Sequence, residues 1–556
     1  MSDTGTESAR MPNAIWEARR AAGLTEKALA ERLGVSLWEV ERLETGELDP
    51  SPYAEALERH TGRPRSSFRS NGASEPPQAN SSAEEVARPE LVSPAEHTAE
   101  RLVLGSIAVL VLVRFLTEVV PVVPRAANFV DIPIVVALVV AALLRPPAQS
   151  TNDSLSRWLP ALGFAFLVLS VLAAVLNPSR VDIAPALVFV YGVLSPLLVY
   201  GAVRRLWPVG RAMAASRLLV ALGIVQLLVV VTIDIPRFAA SSNPDAISGT
   251  FGTNAYQLVF FLLLFVTVLA GIYTHEHERR VARFAPLLIT LSLVVIVLAQ
   301  YRALLVTTGL CLLLSAVILG ARRSRGVIVV GTALLAFMAA LAFGAAKLPI
   351  LKLDQTLNQD PSSLASQRLE IAGQVERLYN DEPRYIVTGT GPGTFSSRGW
   401  QTFAQSGSSS ESNVAGSYAL RLTGGEVYST DVADRYVQPL LEREGEAIAG
   451  SRAVASPFSD YIAVAAEVGF LGLLILLAIY AGAFVAALRR TMVVSRRELP
   501  GPLTALLLTT TVSFFALLQM GLLENWLEVT RLTFIAWALL AISTKEFDAW
   551  AQRERA

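Results

Sequence analysis

The chain has 556 residues, 53% of them hydrophobic and only 17% charged, with a mean hydropathy of +0.47. That balance excludes an ordinary soluble domain and fits a protein with many membrane spans. Forty-seven basic residues offset 47 acidic ones, and the single cysteine, Cys311, lies in an apolar run, which excludes a disulfide framework or a cysteine metal site.

In chain order, residues 1–66 form a first region, in which 11–66 alternate charged and apolar groups at helical spacing. Residues 67–100 are rich in Ser, Pro, Ala and Glu, bury too little apolar surface to fold alone, and read as a disordered linker. With polar residues ahead of it, the first apolar helix is expected to start insertion itself. From Arg101 onward, apolar runs recur that are long enough to cross a bilayer core of about 30 Å. Spans are predicted near 102–122, 129–144, 159–176, 182–201, 213–234, 255–274, 284–301, 303–321, 326–346, 461–487, 502–522 and 527–543. Read as one helix, 283–321 would be about 57 Å long, so a hairpin at Arg302 is expected instead.

The fold class is therefore an all-α polytopic membrane protein of about twelve transmembrane helices with a small helical domain ahead of it. Nine spans lie in 101–346, a large loop in 347–457, three more spans in 458–545 and a tail in 546–556. With the amino terminus in the cytoplasm, short inner connections hold sixteen arginines and short outer ones five, Arg125, Arg180, Arg237, Arg302 and Arg531. The positive-inside bias puts both termini in the cytoplasm and the long loop outside.

The segment "ARRAAGLTEKALAERLGVSLWEVERLETG" resembles the helix-turn-helix of the Cro and phage-repressor class through Leu29, Ala30, Leu33, Gly34, Val35, Val40 and the exit from Glu44 to Gly46. DNA-binding members open the second helix with a glutamine and present small polar or basic groups to the groove, where this chain has Glu26, Leu37, Trp38 and Glu39. Residues 11–66 carry eight Lys or Arg against ten Asp or Glu. Duplex affinity depends on cationic contacts to phosphate, so DNA is not the expected partner. Trp38 offers an interface anchor for a cytoplasmic protein instead.

Four separated words mark the membrane part: "SGTFGTNAYQLVFFLLLF" from Ser248, "AQYRALLVTTGLCLL" from Ala299, "SQRLEIAGQVERLYNDEPRYIVTGTGPGTF" from Ser366, and "ASPFSDYIAVAAEVGFLG" from Ala455. Their order resembles that of the O-antigen ligase and polymerase family of membrane glycosyltransferases. The resemblance covers about residues 100–545. It implies transfer of a glycan from a polyprenyl-diphosphate carrier to a glycan or lipid acceptor at the outer face, among membrane lipids and with no metal or cofactor. Arg302 matches a family arginine, with Tyr301 in place of its serine, and Arg368 matches the loop arginine. Guanidinium forks suit a diphosphate leaving group. Arg302 also suits an interfacial snorkelling role, and Arg368 a solvated helix charge.

Tyr461 and Glu467 align with the last family word, which places Phe458 where the family has histidine. The four histidines, His60, His97, His275 and His277, all fall on the predicted inner side. If the chain is catalytic, either a carboxylate takes the proton or the acceptor attacks with little base assistance, and Asp460 and Glu467, seven residues apart on one helix face, are the catalytic candidates. Asp460 equally suits a helix amino terminus, and Glu467 a structural partner for a buried arginine. The "TGTGPGTF" segment offers backbone N–H groups for phosphate or a tight turn that delivers Phe395 to a core. Polymerase is favoured over ligase, because the ligase histidine is missing. A non-catalytic membrane adaptor with a degenerate site is the rival from another class.

Overall fold

The computed structural model describes residues 14–33, 35, 39–40, 43–44, 50, 53–63, 94–119, 123, 127, 129–145, 154–177, 181–241, 246–252, 254–275, 279–299, 302–320, 331, 337, 361–404, 428–440, 459–495 and 501–554. Among them the secondary structure is helical throughout. The chain divides into two compact units, Met1–Leu91 and Val92–Ala556.

The first unit holds α1 (Ala14–Ala21), α2 (Glu26–Leu33) and α3 (Ala54–Thr61). Each helix is eight residues long, too short to be stable alone. Their apolar faces, Ile15, Ala18, Leu29, Ala30, Ala54 and Leu57, meet in one small core together with Val40 and Leu43 from the segment between α2 and α3. Arg19 is buried beside it and ion-paired to Glu44, donates to the Leu24 carbonyl at 3.1 Å, and reaches Glu26 at 3.3 Å. The hydrogen bond to Glu44 outweighs burial and holds the Arg19 guanidinium above the ordinary arginine value. Leu37 and Trp38 lie outside the described residues.

The second unit begins with α4 (Pro94–Val119), α5 (Asp131–Leu144), α6 (Ser154–Leu176), α7 (Ile183–Leu206) and α8 (Ala212–Val229). A π-helical turn, Val230–Asp234, joins α8 to α9 (Ile235–Ser241), and α10 (Ala255–His275), α11 (Arg279–Leu298) and α12 (Arg302–Gly320) follow. The loop region contributes α13 (Pro361–Asp381), α14 (Tyr385–Thr388), α15 (Arg398–Ala404) and α16 (Asp431–Tyr436). The chain closes with α17 (Asp460–Ser495), α18 (Gly501–Leu523) and α19 (Thr530–Arg553).

Six stretches are long and apolar enough to cross a membrane, in α6, α7, the α8–α9 pair, α10, α17 and α18. The protein is a multi-pass α-helical membrane protein. Helices coincide with eleven of the expected spans, and 326–346 falls almost wholly outside the described residues. The described helices end at Leu298 and begin again at Arg302, and the expected hairpin turn at 300–301 lies outside the described residues.

Of these six stretches α10 is the most enclosed, with 89% of an 18-residue apolar window buried, and it packs against α8, α11 and α18. By contrast, α6 keeps Phe164, Val171 and Val175 exposed, the composition of a lipid-facing surface. One expected span is not continuous: α17 contains Gly469 in a non-helical conformation, φ 81° and ψ 175°. It therefore consists of a short helix up to Val468 and a longer one from Phe470.

Candidate functional site

The break at Gly469 leaves the last carbonyls of the short helix without intrahelical partners. The glycine-rich segment of the loop supplies them. Thr390 N–H donates to the Ala466 carbonyl and Gly391 N–H to the Glu467 carbonyl, both at 2.9 Å, while the Tyr379 hydroxyl donates to the Ala465 carbonyl at 2.7 Å. Burial pushes the Tyr379 phenol up to about 12, so it remains a donor at any physiological pH.

The Glu467 side chain completes the joint. One carboxylate oxygen accepts from Gly393 N–H at 2.6 Å, and the other from Phe395, Ser396 and Ser397 N–H at 3.0, 3.1 and 3.0 Å. The nest of N–H groups anticipated for a phosphate is thus wrapped around a carboxylate of the chain itself. The same turn delivers Phe395, fully buried, to a second core with Ile371, Leu378, Tyr385, Trp400 and Tyr436. Glycine is required at Gly389, with φ 64°, because a Cβ there would stand 2.3 Å from the Glu467 carbonyl oxygen. This saturated geometry gives Glu467 a positioning part, holding the loop against the bundle.

Asp460 is placed differently. One carboxylate oxygen accepts from Leu527 N–H at 2.7 Å, with the Trp526 and Glu528 N–H groups also turned toward the carboxylate, and the other oxygen is buried with no hydrogen-bond partner among the described residues. Glu528, in the turn between α18 and α19, repeats the pattern: one oxygen accepts from Arg398 N–H at 2.6 Å, and the other has no such partner. Both side chains are buried. The Arg398 guanidinium feels the charge of both carboxylates and hydrogen-bonds the Tyr256 hydroxyl at the start of α10. Burial opposes the Arg398 charge, but Tyr256, Glu528 and Asp460 outweigh it and raise the group above the ordinary arginine value.

The cluster extends sideways. Arg531, in the first turn of α19, is 8% exposed and feels the charges of Arg114, Asp131, Tyr256 and Arg398. Asp131, at the start of α5, accepts from the Thr530 hydroxyl at 2.8 Å and from Tyr191 at 3.4 Å. Residues from α4, α5, α10, α15, α17 and α19 therefore converge at one end of the bundle, the end that carries the loop. A groove of about 610 Å³ opens beside the glycine-rich segment, lined by Val181, Asp182, Ile183, Tyr428, Ser429, Thr430 and Asp431.

Of the residues expected from the sequence, Asp460 lies inside this cluster and Glu467 is held by the glycine-rich segment. The Tyr461 hydroxyl donates to the Leu518 carbonyl at 2.8 Å, which ties the short helix to α18. Tyr301 and Phe458 lie outside the described residues. Arg302 and Arg368 are described only as backbone positions, the first residue of α12 and a residue within α13. No group of three or more His, Cys, Asp or Glu able to hold a metal is present among the described residues.

Arg398, Glu528, Arg531, Arg114, Tyr256 and Asp131 were missed by sequence reasoning. Most sit near the end of an apolar run, where a charge reads as an interfacial residue, and Arg398 lies in the polar loop, where a charge reads as solvated. A usable signal was the acidic and aromatic turn "ENWLEVTR", Glu524 to Arg531, between two spans. No protein-family model matches the chain, and no curated protein matches it.

Proposed function

We propose that the chain is a membrane glycosyltransferase that polymerises or ligates polyprenyl-diphosphate-linked glycan at the outer face of the cytoplasmic (inner) membrane. In this reading twelve spans leave both termini inside, and the loop end faces out. The supporting observation is the meeting of two buried carboxylates, each with one oxygen unengaged among the described residues, and three arginines at the loop end of a membrane bundle.

The chemistry follows from those groups. The acceptor hydroxyl oxygen attacks the anomeric carbon of the donor sugar and the carbon–oxygen bond to the diphosphate breaks. The carrier diphosphate leaves with the bonding electrons, and the hydroxyl proton passes to the free oxygen of Asp460 or Glu528. Charge developing on the diphosphate is met by preorganised guanidinium donors in a site shielded from water. Arg398 and Arg531 take that part, with Arg114, Arg302 and Arg368 completing the path of the carrier head group. The groove at Asp182 and Asp431 receives the acceptor glycan.

The test is surface glycan chain length in cells carrying Arg398→Ala or Arg302→Ala. Loss of long glycan in both, with normal amounts of folded protein in the membrane, is the expected result. Wild-type glycan in both variants would refute the enzyme reading.

A second reading, a non-catalytic adaptor whose first unit binds a cytoplasmic protein, is favoured by one observation. Glu26, at the place where DNA-binding relatives of the resembled class contact phosphate, is ion-paired to Arg19. The first unit is accordingly expected to show no salt-dependent duplex affinity. Tight sequence-specific DNA binding by the full chain would overturn that.

A further inference from the structure

The apolar run Phe470 to Leu488 on α17 is 19 residues long and ends at Arg489 and Arg490. At 1.5 Å per residue it measures about 28 Å, close to the hydrocarbon thickness of a bilayer. Gly469 therefore marks the hydrocarbon boundary on the loop side. The backbone of α14 lies directly on that break: a Cβ at Gly469 would stand 2.6 Å from the Val387 carbonyl oxygen and 3.0 Å from that of Ile386. So close an approach holds α14 at the depth of the boundary.

Its side chains suit that place. Tyr385 turns inward and is fully buried, whereas Ile386 and Val387 are 42% and 66% exposed. On the other side of the contact Phe470, Leu471 and Leu474 are 51%, 48% and 46% exposed, and they belong to the apolar surface that α17 presents to lipid. Arg384, one residue before α14, has its guanidinium 4.8 Å from the centre of the Tyr385 ring and pairs with Glu382 at 2.7 Å, a polar rim at head-group level.

We propose that Ile386 and Val387 are embedded in the lipid leaflet on the loop side, continuing the acyl-chain contact of Phe470 and Leu471. The loop is thereby anchored in the membrane at the point where its glycine-rich segment holds Glu467. The occupant of this surface is phospholipid acyl chain, because the surface is continuous with the lipid-facing stripe of α17. The inference rests only on α17 crossing the membrane and is independent of the proposed reaction.

The test uses the full chain in nanodiscs, with Cys311→Ser as background and an environment-sensitive fluorophore on Val387→Cys. Leu474→Cys is the lipid-facing reference and Glu376→Cys, on the exposed face of α13, the aqueous reference. With lipids brominated along the acyl chain, quenching at Val387→Cys is expected to match Leu474→Cys and to exceed Glu376→Cys several-fold. Quenching no greater than at Glu376→Cys, whether because water or a protein surface covers the site, overturns the proposal. Ile386→Cys gives the same reading if the Val387 variant fails to fold.

Discussion

The two ends of the membrane unit both bury carboxylates, and they treat them in opposite ways. At the arginine-rich end, Glu546 of α19 accepts from the Trp207 indole at 2.9 Å, Gly210 N–H at 2.9 Å and Arg211 N–H at 2.8 Å. Nearby, Asp548 pairs with Arg204 at 2.6 Å and Arg490 at 3.7 Å. These contacts tie the tail of α19 to α7, α8 and α17, and both carboxylates have hydrogen-bonding or ionic partners. At the loop end, Asp460 and Glu528 each keep one buried oxygen without a partner among the described residues. A buried carboxylate oxygen left unmatched costs stability, so its retention among the described residues at one end and not at the other separates a site that binds or reacts from one that only fastens. Glu467, with four backbone donors, belongs by this criterion with Glu546 although it is in the same short helix as Asp460.

The sharpest way to break the comparison is to neutralise the unsaturated pair. Asp460→Asn or Glu528→Gln is expected to lower glycan transfer by about 100- to 10,000-fold, the usual weight of a general base, while thermal stability in detergent changes little. Full activity in either folded variant would assign the proton to the other carboxylate, and full activity in both would remove the pair from the reaction.

Neutralising the saturated acids should show the reverse pattern. Glu467→Ala strands four buried N–H donors at about 1–3 kcal/mol each before relaxation, so a loss of roughly 3 kcal/mol or more is expected. It should appear as new proteolytic cleavage within 389–404. Glu546→Ala strands three donors and is expected to cost roughly 2–3 kcal/mol, lowering the melting temperature without exposing the loop. Equal cleavage of 389–404 in both variants would mean that the two ends are not independent.

A smaller effect tests the joint between loop and broken helix. Gly469→Ala places a Cβ 2.6 Å from the Val387 carbonyl at positive φ, and the strain is expected to cost about 1–3 kcal/mol. Melting and loop proteolysis should shift together, in the same direction as for Glu467→Ala and by less. An unchanged melting temperature would show that the break is not needed to seat α14.

Much of the architecture was legible as pattern. Long apolar runs must be helices in lipid because every backbone group needs an internal partner, and helices appear at the expected spans wherever the chain is described. Part of the site was legible too: the polar start of α17 contributes Asp460, and "TGTGPGTF" forms a nest of donors. The nest's occupant was not legible, since an oxyanion from a ligand and one from Glu467 satisfy the same N–H groups. Nor was the break at Gly469, because "AEVGFLG" keeps helical hydrophobicity through it, and only contact with Val387 and Gly389 reveals why a left-handed residue is needed.

By itself the sequence determined a multi-pass helical protein, the segregation of its charges and the presence of carboxylates at a helix mouth, because these depend on composition and on periodicity within single segments. Only the tertiary structure decided which charges meet. Arg398, Asp460 and Glu528 are brought together across 131 positions of the chain, from 398 to 528, and Glu467 becomes an anchor through amides some 70 residues away. Whether a buried carboxylate fastens or reacts depends on how many donors surround it, and those donors come from distant segments that no local pattern connects.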